Sequence, residues 1–232
     1  VVDCAAFADA NFPAFPQAVP LFTFSTVVAY NTDTFKDGEI KGFSSFFDPK
    51  IKGQRDIQAI DNGWAGFLEA ALVQDGVAID KLYPLDVPRA LKVFDRIKSE
   101  LVVMADDAQC LTDVGSGEAA MGTCYNGRTA LAAKEGQPVA ISWGNQVQSC
   151  DYLYIPKGAK NIENANKLIS YIVDNQKAIG NYIAYGGVNP SAAGLDEDSE
   201  WLEFLPSENE LSGKDAPIVV NDVWWGENRE DV

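Results

Sequence analysis

Apolar positions along this chain fall into two spacings. Short runs rich in β-branched and aromatic residues predict strands: TFSTVVAYN at 23–31, DIQAI at 56–60, VVMA at 102–105, AAMGTCYNG at 119–127, VAISWG at 139–144 and DYLYIP at 151–156. Between them the spacing becomes helical. GFSSFFDPK is a helical turn halted by Pro49. NGWAGFLEAALVQDG sets Trp64, Phe67, Leu68, Ala71 and Leu72 on one face and stops at Gly76, with Asp61 and Asn62 standing where an N-cap belongs. PRALKVFDRIKSEL, AQCLTDVGSG and NIENANKLISYIVDNQKAIGNYIAY are further helices, and residues 1–20, with three prolines, read as loop. Strands alternating with helices predict an α/β fold with largely parallel sheets. No internal repeat or low-complexity linker interrupts the order.

In such sheets ligands gather at the carboxyl ends of strands. Here those ends carry polar and aromatic clusters: Asp61-Asn62-Gly63-Trp64, Tyr125-Asn126-Gly127-Arg128 and Trp143-Gly144-Asn145-Gln146, while Tyr185-Gly186-Gly187-Val188-Asn189-Pro190 closes a helix. Aromatic faces beside carboxylates and amides suit an organic cation, through cation–π contact and charge-assisted hydrogen bonds. They also suit a sugar. Taken one at a time, each cluster has a plain structural use: Asp61 as a cap, Trp64 and Tyr125 as core, YNG as a turn.

Charge and composition narrow the chemistry. The 232 residues carry 34 Asp and Glu against 18 Lys and Arg, a net charge of −16, which disfavours nucleic acid and anionic membranes and favours cationic partners or mere solubility. There is no histidine, so Ser-His-Asp, Cys-His and His-zinc chemistry are absent, and no glycine cluster fits a phosphate loop. Nothing supplies a nucleophile with a base beside it, so an enzyme is not expected, and neither a cofactor nor a metal is called for. Cys4, Cys110, Cys124 and Cys150 allow two disulfides in an oxidising compartment or buried thiols; Cys110 with Cys124 is the preferred pair, because a helix and the next strand can bring them together. VVDCAAFADANFP lacks the basic-then-apolar pattern of a secretory signal. SCDYLYIPKG at 149–158 places Asp151 at the mouth of a run that reads as a buried strand, where a carboxylate requires a cation or several donors.

The order TFSTVVAYNTDTF, DGVAIDKLYPLDVPRALKVFDRIK, GSGEAAMGTCYNGR, SCDYLYIPKGAKNIENANKLISYIV, AYGGVNPSA and VNDVWWGENRE resembles the extracellular solute-binding proteins of ABC importers, of the spermidine/putrescine-binding type, from about residue 20 onward. That resemblance implies a periplasmic-binding-protein-like type II fold of two α/β lobes. Residues 27–150 with 194–232 would form one complete lobe, and residues 1–26 with 151–193 the remainder of a second, truncated one. It implies an extracytoplasmic protein that captures a small cationic, polyamine-like solute between its lobes and delivers it to a membrane permease; an amino-acid-like solute or a sugar is the alternative, and a carboxylate-based enzyme a more remote one. By the same resemblance Asp151 pairs with an ammonium group. Tyr125, with Asn126 after it, stands where a Trp is usual, and Tyr185 precedes the turn. Asp61 opens a helix, Trp64 takes a position that is often acidic, and Ser25 and Thr26 present hydroxyls at the first crossing. Ser149 departs from the aromatic that polyamine binders tend to carry two residues before Asp151. The second lobe, lacking its first strands, would expose sheet edges that another copy of the chain could complete as a homodimer.

Overall fold

In the computed structural model the strand-forming runs meet in one sheet: β1 (Ala18–Asn31), β2 (Arg55–Ile57), β3 (Leu101–Val103), β4 (Met121–Tyr125), β5 (Val139–Tyr154) and β6 (Ile218–Val219). The structure describes residues 15, 17–58, 65–104, 106, 108–175 and 201–232. Across the sheet the order is β3-β2-β4-β1-β5-β6. β2 is parallel to β3 and β4, and β6 to β5, whereas β1 runs antiparallel to both β4 and β5. The sheet is therefore mixed rather than largely parallel. Side-chain periodicity reports which face a residue occupies and carries no information on strand direction.

Alternation along β1 divides the core in two. Val28 and Tyr30 point to one face, where they join Ile57, Met121, Phe43, Phe46, Phe67, Leu68, Leu72, Val93 and Phe94. Those residues bring in α1 (Phe43–Phe46), α2 (Phe67–Gln74) and α3 (Val87–Phe94). Ala29, between them, points to the other face and joins Cys110, Val114, Cys124 and Ala132 from α4 (Gln109–Ser116), β4 and α5 (Asn126–Lys134). Each fully buried Leu or Phe in these layers contributes on the order of 2 kcal/mol relative to exposure. The Cys110–Cys124 disulfide ties α4 to β4, as the preferred pairing expects. Cys4 lies outside the described residues, and the Cys150 thiol reaches the Asp151 carbonyl oxygen at 3.5 Å.

Several elements differ from their sequence expectation. β1 starts at Ala18, inside the stretch read as loop, because Ala18 and Val19 pair with Tyr154 and Leu153. VAISWG and DYLYIP are one strand, β5, interrupted by a bulge: two steps along β1, from Thr26 to Val28, match five along β5, from Val147 to Ser142. Asn145 within that bulge has φ 55°, and its amide holds the carbonyls of Lys214 and Ala216, so the Trp143–Gln146 cluster is mid-strand and not a strand end. The YNG turn is instead the start of α5. Helix α2 begins at Phe67 with Gly66 as its N-cap, not at Asp61 or Asn62; the Glu69 carboxylate accepts the Gly66 N–H at 2.7 Å and closes the first turn. Finally, β5 beyond Cys150 is not buried: Asp151 and Tyr154 are exposed. Helix α6 (Ile162–Asp174) has no buried residue, and α7 (Asp222–Asn228) docks through Trp225.

Candidate functional site

Three strands converge on one row of residues. Thr26 of β1 lies opposite Tyr125 on one side and opposite Val147 on the other. The next row on the same face is Phe24 opposite Ser149, since directly opposed residues share a face and faces repeat every second residue. Phe24, Thr26, Tyr125, Val147 and Ser149 line a cavity of about 20 Å³, closed by Gln58, Ala65 and Phe67. That is room for about one water. Gln58 follows the carboxyl end of β2, Tyr125 is the carboxyl end of β4, and Phe67 opens α2, so the cavity occupies the strand-end position where α/β folds bind ligands.

Asp151 continues the same face of β5, two residues beyond Ser149 and opposite Phe22 in register. That places it about 7 Å further along the strand, outside the cavity lining. It is exposed, and among the described residues no donor or cation meets its carboxylate. The surrounding protein still removes enough water to push its pKa up. The buried carboxylate read from the sequence is thus a surface carboxylate beside the cavity, partly desolvated and without a counter-charge among the described residues.

At the opposite end stands Tyr125. Its ring meets Phe24 edge-on, with centroids 5.5 Å apart, and the Arg128 guanidinium lies 5.9 Å from its centroid. The strand-to-helix switch at Tyr125–Asn126 sets this geometry: Thr129 Oγ1 donates to the Tyr125 carbonyl at 2.9 Å, and the exposed Arg128 falls in the first turn of α5, next to the ring.

Ser25 and Asn126 occupy the other face. The Ser25 N–H donates to Asn126 Oδ1 at 3.0 Å, and the Ser25 hydroxyl donates to Gln146 Oε1. All three residues are buried. Asn126 here stands in for the next backbone acceptor of the β1–β4 ladder, which ends at Tyr125. Among the sequence-nominated residues the structure brings Thr26 and Tyr125 into the cavity, puts Asp151 beside it, and sets Ser25 and Asn126 behind it. Asp61, Trp64 and Tyr185 lie outside the described residues. Phe24, Gln58, Phe67 and Val147 also line the cavity, and no motif in the sequence marks them as site residues. Phe24 is the cross-strand partner of Ser149, whose place two residues before Asp151 is the sequence signal that leads to it.

Two residues before Gln58 along the chain lies a second electrostatic feature. Asp56 of β2 is fully buried, takes a hydrogen bond from Gln54 Nε2 at 2.9 Å on one carboxylate oxygen, and has the Asp113 carboxylate of α4 as an electrostatic neighbour. Burial first, and then Asp113, push its carboxyl up to about 7.

Residues 7–204 match the family of bacterial extracellular solute-binding proteins. The chain belongs to that family. It is 29% identical over 185 residues to a gamma-aminobutyric acid-binding protein of Pseudomonas aeruginosa, covering 76% of this chain and 51% of that one. It is 24% identical over 211 residues to the spermidine/putrescine-binding periplasmic protein of Escherichia coli, covering 89% and 58%. The chain thus spans between half and three-fifths of these curated relatives. Among solved structures it resembles an ABC transporter substrate-binding protein from Bradyrhizobium japonicum, with 34% identity, a TM-score of 0.80, and 98% of this chain and 71% of that one covered. It is likewise similar to the binding protein AgtB of Agrobacterium tumefaciens in complex with agropinic acid, with 30% identity, a TM-score of 0.78, and 99% and 72% covered. The fold is accordingly periplasmic-binding-protein-like, and these relatives are solute-binding proteins rather than enzymes. No helix among the described residues is long and apolar enough to cross a membrane.

Proposed function

We propose that this chain is the solute-capturing part of an extracytoplasmic ABC importer, and that its solute carries a primary amine at one end and a carboxylate at the other. The observation that carries this reading is the pair of opposite charges around one cavity. Asp151 offers a carboxylate along β5 that no cation among the described residues neutralises, and Arg128 offers a guanidinium against the Tyr125 ring. An ammonium group approaching Asp151 supplies the missing counter-charge, and Arg128 recognises a carboxylate in the forked geometry that guanidinium favours. A polyamine satisfies the first partner and meets repulsion at the second.

The relatives bear on the same choice. One binds gamma-aminobutyric acid by its name, another was solved with agropinic acid, and others are spermidine/putrescine-binding proteins. The last group, together with the net charge of −16, favours putrescine or spermidine as the second reading. In either case residues 27–150 with 194–232 would form one lobe, and residues 1–26 with 151–193 part of the other. Lobe closure would report occupancy to the permease.

Calorimetric titration with 4-aminobutanoate and with putrescine decides between the two. Binding of the amino acid in the micromolar range (about −8 kcal/mol) is expected. Asp151→Asn should weaken it by at least about tenfold, and Arg128→Gln by a similar factor. Tighter putrescine binding that Arg128→Gln leaves unchanged or improves would overturn the amine-carboxylate reading and favour the polyamine.

A further inference from the structure

Glu69 is the third residue of α2 and is fully buried, an environment that no carboxylate tolerates without donors. Its donors come from three separate parts of the chain. The Gly66 N–H reaches Oε2 at 2.7 Å, the Tyr83 hydroxyl reaches Oε1 at 2.5 Å, and the Trp225 indole N–H of α7 reaches Oε1 at 2.7 Å. Tyr83 is itself fixed by the C-terminal segment: its oxygen accepts the Asn221 N–H at 2.8 Å, and its ring lies 5.4 Å from that of Trp224. Burial pushes the Glu69 pKa up, while the hydrogen bonds from Tyr83 and Trp225 pull it down.

One end of this cluster is the site itself. Gly66 sits between Ala65 and Phe67, both of which line the cavity. It is also pressed onto the cavity wall: at φ 84°, a Cβ on Gly66 would lie 2.4 Å from Val147 Cγ1. Gly66 is thus joined to two lining residues along the chain and packed against a third, Val147.

We propose that Glu69 is a positioning residue that couples the docking of the C-terminal helix α7 to the placement of the cavity-lining start of α2. Trp225 and Tyr83 fix the carboxylate from the C-terminal side, and the carboxylate fixes Gly66 on the site side. The link to solute affinity rests on the function proposed above; the mechanical link does not.

Two substitutions divide the cluster. In Glu69→Gln the amide oxygen can still accept from Tyr83 and Trp225, but the amide nitrogen then faces the Gly66 N–H, donor against donor, so the break falls on the site side. Trp225→Phe keeps the ring and removes the donor on the far side. Hydrogen–deuterium exchange of residues 65–70, read against residues 121–125 of β4, should accelerate about tenfold or more in Glu69→Gln. It should accelerate severalfold in Trp225→Phe, with β4 unchanged in both. Exchange at 65–70 that ignores Trp225→Phe, or that rises equally in β4, would overturn the coupling and leave Glu69 an ordinary packing residue. Should Glu69→Gln fail to fold, Trp225→Phe and Tyr83→Phe carry the same test. Titration with 4-aminobutanoate and putrescine is run on the same samples. No binding by the unsubstituted protein counts against the proposed function alone, whereas binding that Glu69→Gln does not weaken counts against the positioning role.

Discussion

Thr26 and Tyr125 stand opposite each other across the β1–β4 ladder, one step before the chain leaves β4 for α5. The pairing fixes where the Tyr125 backbone lies, and the Phe24 edge and the Arg128 guanidinium fix its ring. Tyr125 is thus an aromatic wall held from three sides before any solute arrives, which lowers the ordering cost of binding. Tyr125→Ala should weaken the solute by about tenfold or more, and Tyr125→Phe by less than about threefold, in calorimetric titration. Equal losses in both variants would mean that the hydroxyl, not the ring, carries the contact.

The buried Asp56–Asp113 pair sets a pH dependence of stability. Burial, with Asp113 beside it, pushes the Asp56 carboxyl up to about 7 in the folded protein, from an ordinary 3.8. Between those values the folded state holds a proton that the unfolded state has lost, so stability declines as pH rises through that window and levels off above it. Asp75 and Glu100, held below the usual carboxylate range by Arg89 with Arg96 and by Arg55 respectively, act in the opposite sense and only in acid. They leave the range from about pH 5 to 8 flat. The melting temperature should therefore be lower at pH 8 than at pH 5, and Asp56→Asn should reduce the difference, leaving the smaller part that Glu69, Asp151 and Asp222, whose pKa values burial also raises, contribute in the same sense. An unchanged slope in that variant would assign the proton elsewhere.

Cys110 and Cys124 are 14 residues apart, and the second immediately precedes Tyr125. Closing a loop of that length constrains the unfolded chain by about 3 kcal/mol. The double variant Cys110→Ala with Cys124→Ala should lose roughly 2–4 kcal/mol in denaturant unfolding. A loss well below about 1 kcal/mol would show that the core around Val114 and Ala132 holds α4 against β4 without the bond.

Much of this architecture was legible in the residues, and the failures have physical causes. A strand ending at Asn31, a strand inside 119–127, helices that stop just before Gly76 and at Gly117, and the Cys110–Cys124 pair follow from local periodicity and stop signals, although β1 starts five residues before Thr23 and β4 gives way to α5 at Asn126. Periodicity is blind to strand direction, which is why the antiparallel placement of β1 was missed. It is also blind to a bulge, which is why one strand was read as two: the GNQ stretch looks like a turn, and Asn145 does adopt a left-handed conformation, but Val147 resumes the ladder with β1. For the site, a polar residue at a strand end gives no indication of its face. Ser25 and Thr26 are adjacent, yet one bonds Gln146 behind the sheet and the other lines the cavity. Arg128 was visible only as the last letter of YNGR, since its position beside Tyr125 depends on α5 starting at Asn126. Glu69 carried no sequence signal of its role, because its partners are 14 and 156 positions away.

Ser149 offers the sharpest test of what selects the solute. It faces Phe24 across the β1–β5 ladder, lines the cavity, and lies on the same face as Asp151, two residues before it. An aromatic ring in its place would extend over the space that an amine must cross to reach the Asp151 carboxylate. Cation–π contact there adds about 0.5–2 kcal/mol, which corresponds to roughly 2-fold to 30-fold in affinity. A diamine, with two ammonium groups to stack, gains more from the ring than a solute with one, whose carboxylate is repelled by the negative ring face. Ser149→Trp should therefore shift the affinity ratio of putrescine to 4-aminobutanoate upward by about fivefold or more, read by parallel calorimetric titrations. Circular dichroism should confirm an unchanged fold, since the added ring exceeds a cavity of about 20 Å³ and must project toward solvent. A ratio that stays fixed while both affinities fall would mean that the ring only blocks the cavity. Selectivity would then rest on Arg128 and Tyr125 at the other end.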